Sequence, residues 1–357
     1  MRRQSSLFLI ATAEQNNYLQ NANMVKSRSG MSITPQIRRT LRLTGSFAAR
    51  VFPSNYRVRT ERYLRGWEEY GLLQESDLVV VSFGKSGRTW LRVLLSRYYQ
   101  LRYELPASKL LDNDNLNRLN AAVPRVVFTH DNYVSDFTGI SNSKAVYADK
   151  QVLLLVRHPA DTAVSQFFQW KHRMKPRKRM LNSYPATKDG LSLADFVLSE
   201  TAGIPKIIRF MNQWASELDR MRDVLVVRYE TLHATTAQTL ATILGFIGEQ
   251  AKPKELEECV RFASVESMRA LERERFFHNL GKRLRPADAA DPETYKVRRA
   301  KVGGYRDYFT DDELNRIDRL VEETLSPVYR YCGSAVIDLA SPDETLAAPI
   351  TRSERSH

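Results

Sequence analysis

Only two cysteines, Cys259 and Cys332, occur in the 357 residues, and they stand far apart. A disulfide scaffold is thereby excluded, and the usage fits a reducing compartment. No apolar run approaches the ~20 residues that a bilayer-spanning helix needs. The two cysteines and six histidines show no ligand spacing, so no metal site is predicted. No internal repeat is present. Acidic residues fall short as well: 41 against 54 basic ones, a formal net charge of +13. Such a charge suits anionic ligands as a class: nucleotides, acidic glycans, nucleic acid or anionic lipid. With 43% apolar residues the chain can bury one large core, although its length would allow two domains.

The two ends differ from the middle. Residues 1–30 are polar and rich in Asn, Gln and Ser. Their apolar stretch, 6–13, is short and follows two arginines, which mimics a signal peptide weakly; a true start at Met24 or Met31 is the competing reading. Residues 1–47 are read as a flexible basic leader, 48–335 as the folded domain and 336–357 as a disordered tail. Much of the charge precedes the core, in Arg38, Arg39, Arg42, Arg50, Arg57, Arg59, Arg62 and Arg65. Ile37, Leu41, Leu43, Phe47, Val51 and Phe52 are interspersed among them. A basic amphipathic helix lying on a membrane is one reading. A solvated helix packed on the domain is the other, and it is slightly preferred.

Four short apolar runs read as buried strands: Leu78-Val79-Val80-Val81, Val126-Val127-Phe128-Thr129, and the stretches 151–156 and 223–229. Helical patterns lie between and after them, at 160–172, 192–199, 204–220 and 235–247. Continuous apolar strands alternating with amphipathic helices predict an α/β fold with a central, mostly parallel β-sheet flanked by helices on both faces. Ligands of such sheets bind beyond the C-terminal ends of the strands. Lys85, His130 and Arg157 all fall at those ends.

The most informative segment is Phe83-Gly84-Lys85-Ser86-Gly87-Arg88-Thr89-Trp90. It joins the first strand to an apolar periodic stretch, so it is a turn opening a helix. Backbone N–H groups and the positive end of the helix dipole make that place suit a phosphate or sulfate. Lys85 and the hydroxyls of Ser86 and Thr89 add donors. The triphosphate-binding loop G-x-x-x-x-G-K-[ST] would need a Gly at Val79, so the long wrapping loop is absent. Trp90 makes sense if an adenine ring stacks nearby.

This octet resembles the 5′-phosphosulfate loop, P-K-S-G-T-T-W, of the P-loop-containing sulfotransferases that use 3′-phosphoadenosine 5′-phosphosulfate (PAPS). Gly84 stands for the Pro and Arg88 for the first Thr, which exchanges a hydroxyl donor for a charge. The run Arg157-His158-Pro159-Ala160-Asp161 through Ser165 resembles the family segment R-x-P-x-[DE]-x-x-x-S, whose Arg and Ser hold the 3′-phosphate. An arginine fork plus a hydroxyl is sound chemistry for a phosphate dianion. Val297 to Thr310 resembles the signature R-K-G-x-x-G-D-W-K-N-x-F-T, with Arg298 and Arg299 on the pair that grips the same phosphate. Ala300 replaces a Gly there, and its Cβ occupies a close backbone approach. Tyr229-Glu230 resembles the Y-E turn beside adenine, and Ser264 with Met268 falls on another adenine-lining segment. Thr129-His130 resembles the T-H turn whose His is general base. The order of these segments along the chain is the family's order, from about residue 77 to 331.

The resemblance implies a cytoplasmic sulfotransferase with PAPS as co-substrate, PAP as product and no metal. His130 would take the acceptor proton, Lys85 would stabilise charge on the bridging oxygen, and Ser165 would restrain Lys85. Ser86, Gly87, Arg88, Thr89 and Trp90 would complete the 5′ site. The expected partner is a hydroxyl-bearing acceptor (a glycan, a glycolipid or a small alcohol, with an anionic one among the readings) and no nucleic acid; peripheral contact with the inner face of the membrane would run through the basic N-terminal region. The basic stretch 171–179 is read as either a lid for such an acceptor or a solvated loop. Two other functions compete. An ATP-dependent small-molecule kinase would want the missing Gly and an Asp-ended strand, whereas 156–157 is Val-Arg. A non-catalytic basic module for nucleic acid or membrane explains the charge but not the ordered segments.

Overall fold

The computed structural model describes residues 34–186, 190–277, 295 and 297–331. The first 33 residues of the expected leader and the whole expected tail, with Cys332, lie outside the described residues. Two helices lead in, α1 (Pro35–Ala48) and α2 (Ser54–Glu75). Strand β1 (Leu78–Val81) and helix α3 (Arg88–Arg102) come next. Then come β2 (Val126–Thr129), α4 (Val134–Thr138), β3 (Gln151–Val156) and α5 (Pro159–Phe168). Helices α6 (Pro176–Leu181), α7 (Leu193–Leu198) and α8 (Ile204–Ala215) precede β4 (Asp223–Arg228). Helices α9 (Tyr229–Ala234), α10 (Thr236–Phe246), α11 (Pro253–Phe262), α12 (Val265–Arg273) and α13 (Asp311–Thr324) complete the order.

The four strands are all parallel, in the order β2-β1-β3-β4. Every residue of β1 is buried, as are five of the six in β3. Side chains of a strand alternate between faces, so two separate cores form. Val79, Val81, Val152, Leu154 and Val156 pack with α5, α8 and α13 on one face. Leu78, Val80, Leu153, Leu155, Leu225 and Val227 pack with α3, α10 and α11 on the other. Burial on both faces is why the strands read as unbroken apolar runs.

Strand register aligns the functional segments. Val81 sits opposite Thr129 and Leu154, and Val156 opposite Arg228. The next residues along each chain, Ser82 to Lys85, His130, Arg157 and Tyr229, therefore emerge at one edge of the sheet. The crevice lies around β1, where connections run to β2 on one side and β3 on the other, as the switch-point rule requires.

Three local features depart from the expected outline. The helix expected at 204–220 ends at Ala215, with a short 3₁₀ turn at Leu218–Arg220. Helix α5 runs on through a π-helical turn, Gln169–Arg173, which swings the basic stretch back toward the strand ends. Residues 35–47, placed in the leader, form α1, which packs on α2. The 47/48 boundary thus falls at the end of a docked helix.

Packing of α2 on α4 tolerates no side chain at Gly66. A Cβ there would lie 2.1 Å from the Tyr133 carbonyl oxygen and 2.9 Å from Phe137 Cβ. Gly66→Ala should destabilise the fold by about 1–3 kcal/mol, the usual range for overpacking. A lowered urea midpoint with an unchanged slope would show it.

Candidate active site

Two left-handed residues shape the turn after β1. Lys85 has φ 78° and Gly87 has φ 95°. The left-handed step at Gly87 ends the turn and opens α3, and no side chain caps that helix start. Gly87 is constrained twice, since a Cβ would also lie 2.5 Å from the Tyr229 ring. Lys85 adopts the same region with a full side chain, which costs on the order of 1 kcal/mol. Ser86 is buried beneath the turn.

Cations crowd this point. Lys85 is pushed down to about 7 by burial first, then by the nearby guanidiniums of Arg173, Arg157 and Arg298, with Glu272 opposing them. Arg157 donates to the Lys85 carbonyl (3.4 Å) and the Lys301 carbonyl (3.1 Å), and its guanidinium stacks 4.4 Å from the Tyr229 ring centre. Its Nε is buried with no hydrogen-bond partner. Arg298 lies 4.0 Å over the Phe168 ring and donates to the Tyr308 hydroxyl. Arg299 donates to that hydroxyl as well (3.1 Å) and pairs with Asp307.

Three buried carboxylates hold the crowd in place. Asp161 accepts from the backbone of Gly303 (2.8 Å) and of Tyr305 (2.9 Å), and pairs with Arg157 at 3.4 Å. It thereby fastens the segment carrying Arg298 and Arg299 to the start of α5. Glu272 pairs with Arg173 at 3.2 Å and accepts from the Val297 backbone. Glu230 accepts from the His158 backbone (2.9 Å) and the Tyr331 hydroxyl (2.6 Å).

Ser165 lies on α5, two turns beyond Arg157, and forms no hydrogen bond to Lys85 here. Trp90 donates to the Ala263 carbonyl at 2.8 Å, and its ring meets Tyr229 edge-on at 5.8 Å. Thr89 is in the first turn of α3. Ser264 uses its hydroxyl to cap α12, accepting from the Ser267 backbone, and Met268 is a core residue packed with Leu271. Ala300 has φ 53°, a conformation that favours Gly, so the missing glycine of the signature leaves local strain.

His130 sits on the other side of the turn. Its Nδ1 is 2.7 Å from the Ser82 carbonyl oxygen and its Nε2 is 2.7 Å from Arg88 Nη2. A carbonyl can only accept and a guanidinium can only donate. The ring is therefore a neutral imidazole with its proton on Nδ1 and its lone pair on Nε2. Arg88, which stands where the family loop has a Thr, thus contacts the candidate base. Glu69 lies close by, accepting from the Thr129 hydroxyl. Burial pushes its carboxyl up to about 7, and Asp131 adds to that; the Thr129 bond and Arg88 oppose it.

Beyond His130 opens a cavity of about 360 Å³. Phe83, Met174 and Tyr184 give it apolar walls, and Lys178, Lys206 and Arg62 charged ones. The basic stretch is divided: Met174 and Lys178 line this cavity, Arg173 turns to the Lys85 side and Arg177 pairs with Glu61. Lys206 donates to the carbonyls of Asn182 and Thr201, and burial lowers it to about 8, with Arg209 and Arg62 adding to the shift. Arg173, Glu272, Glu69 and Lys206 were not foreseen as site residues. Of the three buried carboxylates, Asp161 carried a signal as the acidic position of the R-x-P-x-[DE] segment and Glu230 as part of the Y-E turn.

Against known proteins, a sequence profile described as the sulfotransferase domain matches residues 75–328. The chain belongs to that family. Cytosolic sulfotransferase 12 of Arabidopsis thaliana is 25% identical over 276 residues, covering 70% of this chain and 77% of its own length. Flavonol 3-sulfotransferase of Flaveria bidentis is 23% identical over 273 residues, covering 70% and 82%. A solved structure of retinol dehydratase, in complex with androsterone and inactive cofactor PAP, superposes with a TM-score of 0.51 at 15% identity, covering 72% of this chain and 84% of that one. That likeness supports the fold.

The depressed Lys85 has a measurable consequence. Its folded value lies below the ordinary 10.5, so between about pH 7 and 10.5 the unfolded chain holds more protons and stability should rise with pH. A dianion bound beside Lys85 should restore its charge. Calorimetry of PAP binding at pH 8 in two buffers of different ionisation enthalpy should report uptake of about one proton. Lys85→Met should bring that uptake close to zero.

Proposed function

We propose that this chain transfers the sulfuryl group of PAPS to a hydroxyl-bearing acceptor, in the cytoplasm, the compartment for which its plant relative is named. The observation that carries the reading is the gathering of Lys85, Arg157 and Arg298 about the uncapped start of α3, with Tyr229 and Trp90 alongside. The residues fit such a ligand. Arg157 has a buried Nε without a partner, and only a glycine fits between the turn and the Tyr229 ring.

Bound there, PAPS supplies the sulfuryl group, and PAP is what departs. In this reading the backbone of 85–89 with Lys85, Ser86 and Thr89 binds the 5′-phosphate. Arg157, Ser165, Arg298, Arg299 and the backbone at Ala300 bind the 3′-phosphate. Tyr229 and Trp90 flank the adenine, and Ser264 and Met268 shape the wall behind it. His130 takes the acceptor's hydroxyl proton at Nε2 as the oxygen–sulfur bond forms. Lys85 carries the charge that develops on the phosphate oxygen as its bond to sulfur breaks. Arg88 must leave Nε2 for the acceptor to reach it; until then it keeps the ring in the tautomer that a base needs. Ser165 would restrain Lys85 only once bound PAPS draws the two together, since they share no hydrogen bond here. The work is positioning and electrostatics, in the manner of phosphoryl transfer.

The acceptor enters from the cavity beyond His130. Its apolar walls suit a ring, and Lys178 and Lys206 suit an anionic substituent, so an acidic glycan, glycolipid or small anionic alcohol is the class we favour.

The base assignment has a direct test. His130→Ala should lower turnover about 10²–10⁴-fold while PAP affinity is kept. Unchanged turnover would remove His130 from the scheme. Lys85→Ala should reduce kcat in single-turnover measurements; loss of PAP affinity alone would make Lys85 an anchor only.

A further inference from the structure

Helix α1 is docked inside out. Its inner side carries Arg38, Arg42 and Ser46 rather than apolar residues. Arg38 is buried against Gly71 and pairs with Glu75 at 3.0 Å, and Arg42 pairs with Glu68. Those ion pairs turn the apolar stripe outward. At 100° per residue, Ile37, Leu41, Leu43 and Phe47 share the outer half of the helix with Thr40 and Thr44, and no charged residue lies among them. The stripe continues through the next turn: Phe47 is 67% exposed, Val51 84% and Phe52 57%. Eight of the eleven large apolar side chains exposed among the described residues lie between positions 37 and 63. Solvated surface helices do not concentrate apolar area in this way.

The charge around the stripe identifies what it meets. From Thr34 to Thr60 there are six arginines and no Asp or Glu. Arg39, Arg50 and Arg59 are exposed, and Arg50 lies 4.9 Å from the Phe47 ring centre, alongside the stripe. A second copy of this surface would bring arginine against arginine with no acid to answer it. An anionic bilayer answers both features: acyl chains take the stripe, and headgroups take the rim. At 14 residues the helix is too short to cross, so it lies in the interface plane.

We propose that the outer face of α1 and the turn at 49–52 form a docking surface for anionic phospholipid bilayers. The inference goes beyond sulfuryl transfer and does not depend on it, since none of these residues lines the cavity or the Lys85 turn.

The test uses the full chain and vesicles of phosphatidylcholine with and without phosphatidylglycerol. The protein should float with the anionic vesicles and not with the neutral ones. Phe47→Ser with Phe52→Ser should weaken that partition about tenfold or more, and Arg39→Gln with Arg50→Gln should weaken it in low salt. Phe47→Trp should show blue-shifted emission on anionic vesicles. Folding, by circular dichroism, and PAP affinity in solution should be unchanged in every variant, so a failure here is distinct from a failure of the sulfotransfer reading. Absence of flotation by the full chain, or equal flotation of the Phe47/Phe52 variant, would overturn the proposal. So would a dimer in sedimentation that the same variant abolishes.

Discussion

Asp161 is the constraint on which the site rests. A buried carboxylate at the first turn of α5 accepts two backbone amides from a segment 142 and 144 residues further on, and pairs with Arg157 at the strand end. Without it, the segment carrying Arg298 and Arg299 would lose two backbone anchors to α5, and Arg157 its carboxylate partner. Glu272 repeats the device with Arg173 and the Val297 backbone. A buried charge without a partner is strongly unfavourable, so each carboxylate both needs the cations and fixes them. The result is a crowded cationic site in which burial first, and the neighbouring guanidiniums second, lower the proton affinity of Lys85.

The turn after β1 meets that field with backbone geometry. Left-handed Lys85 and Gly87 compress the loop so that α3 begins directly beneath it. The same compression brings Arg88 onto His130. One face of the turn therefore looks toward Arg157 and Tyr229, the other toward His130 and the cavity lined by Lys206. A group held between them would have cations on one side and the His130 imidazole on the other, which is the arrangement the proposed sulfuryl transfer needs.

Much of the outline was legible in the sequence because the sheet is buried on both faces. Val79 to Val81 and Val152 to Val156 leave no polar position to confuse the reading, and the candidate site residues come directly after those strands. Lys85, His130 and Arg157 could therefore be named from position, and Tyr229 from the resemblance of its turn to the Y-E segment. Of the carboxylates that organise them, Asp161 and Glu230 fell inside recognisable segments, but Glu272 could not be named: Arg173 and Glu272 lie 99 residues apart, and nothing local in either marks the pair. Ser264 and Met268 were drawn from a weak segment, and each also has a structural task, one as a helix cap and the other in the core. Helix α1 shows the limit most plainly. Its mixture of arginine and leucine fits either a solvated or a membrane-facing helix, and only the ion pairs to Glu68 and Glu75, on another helix, decide which face turns out.

The central claim is that one site grips both phosphates of an adenosine bisphosphate. Isothermal calorimetry of PAP, AMP, and ATP with magnesium, on parent and Arg157→Ala protein, tests it most directly. The account predicts that PAP binds the parent at least tenfold more tightly than AMP, about what one charge-assisted phosphate contact contributes, and that Arg157→Ala removes this preference while leaving AMP affinity nearly unchanged. Equal affinity for PAP and AMP, or tighter binding of magnesium-ATP, would contradict it.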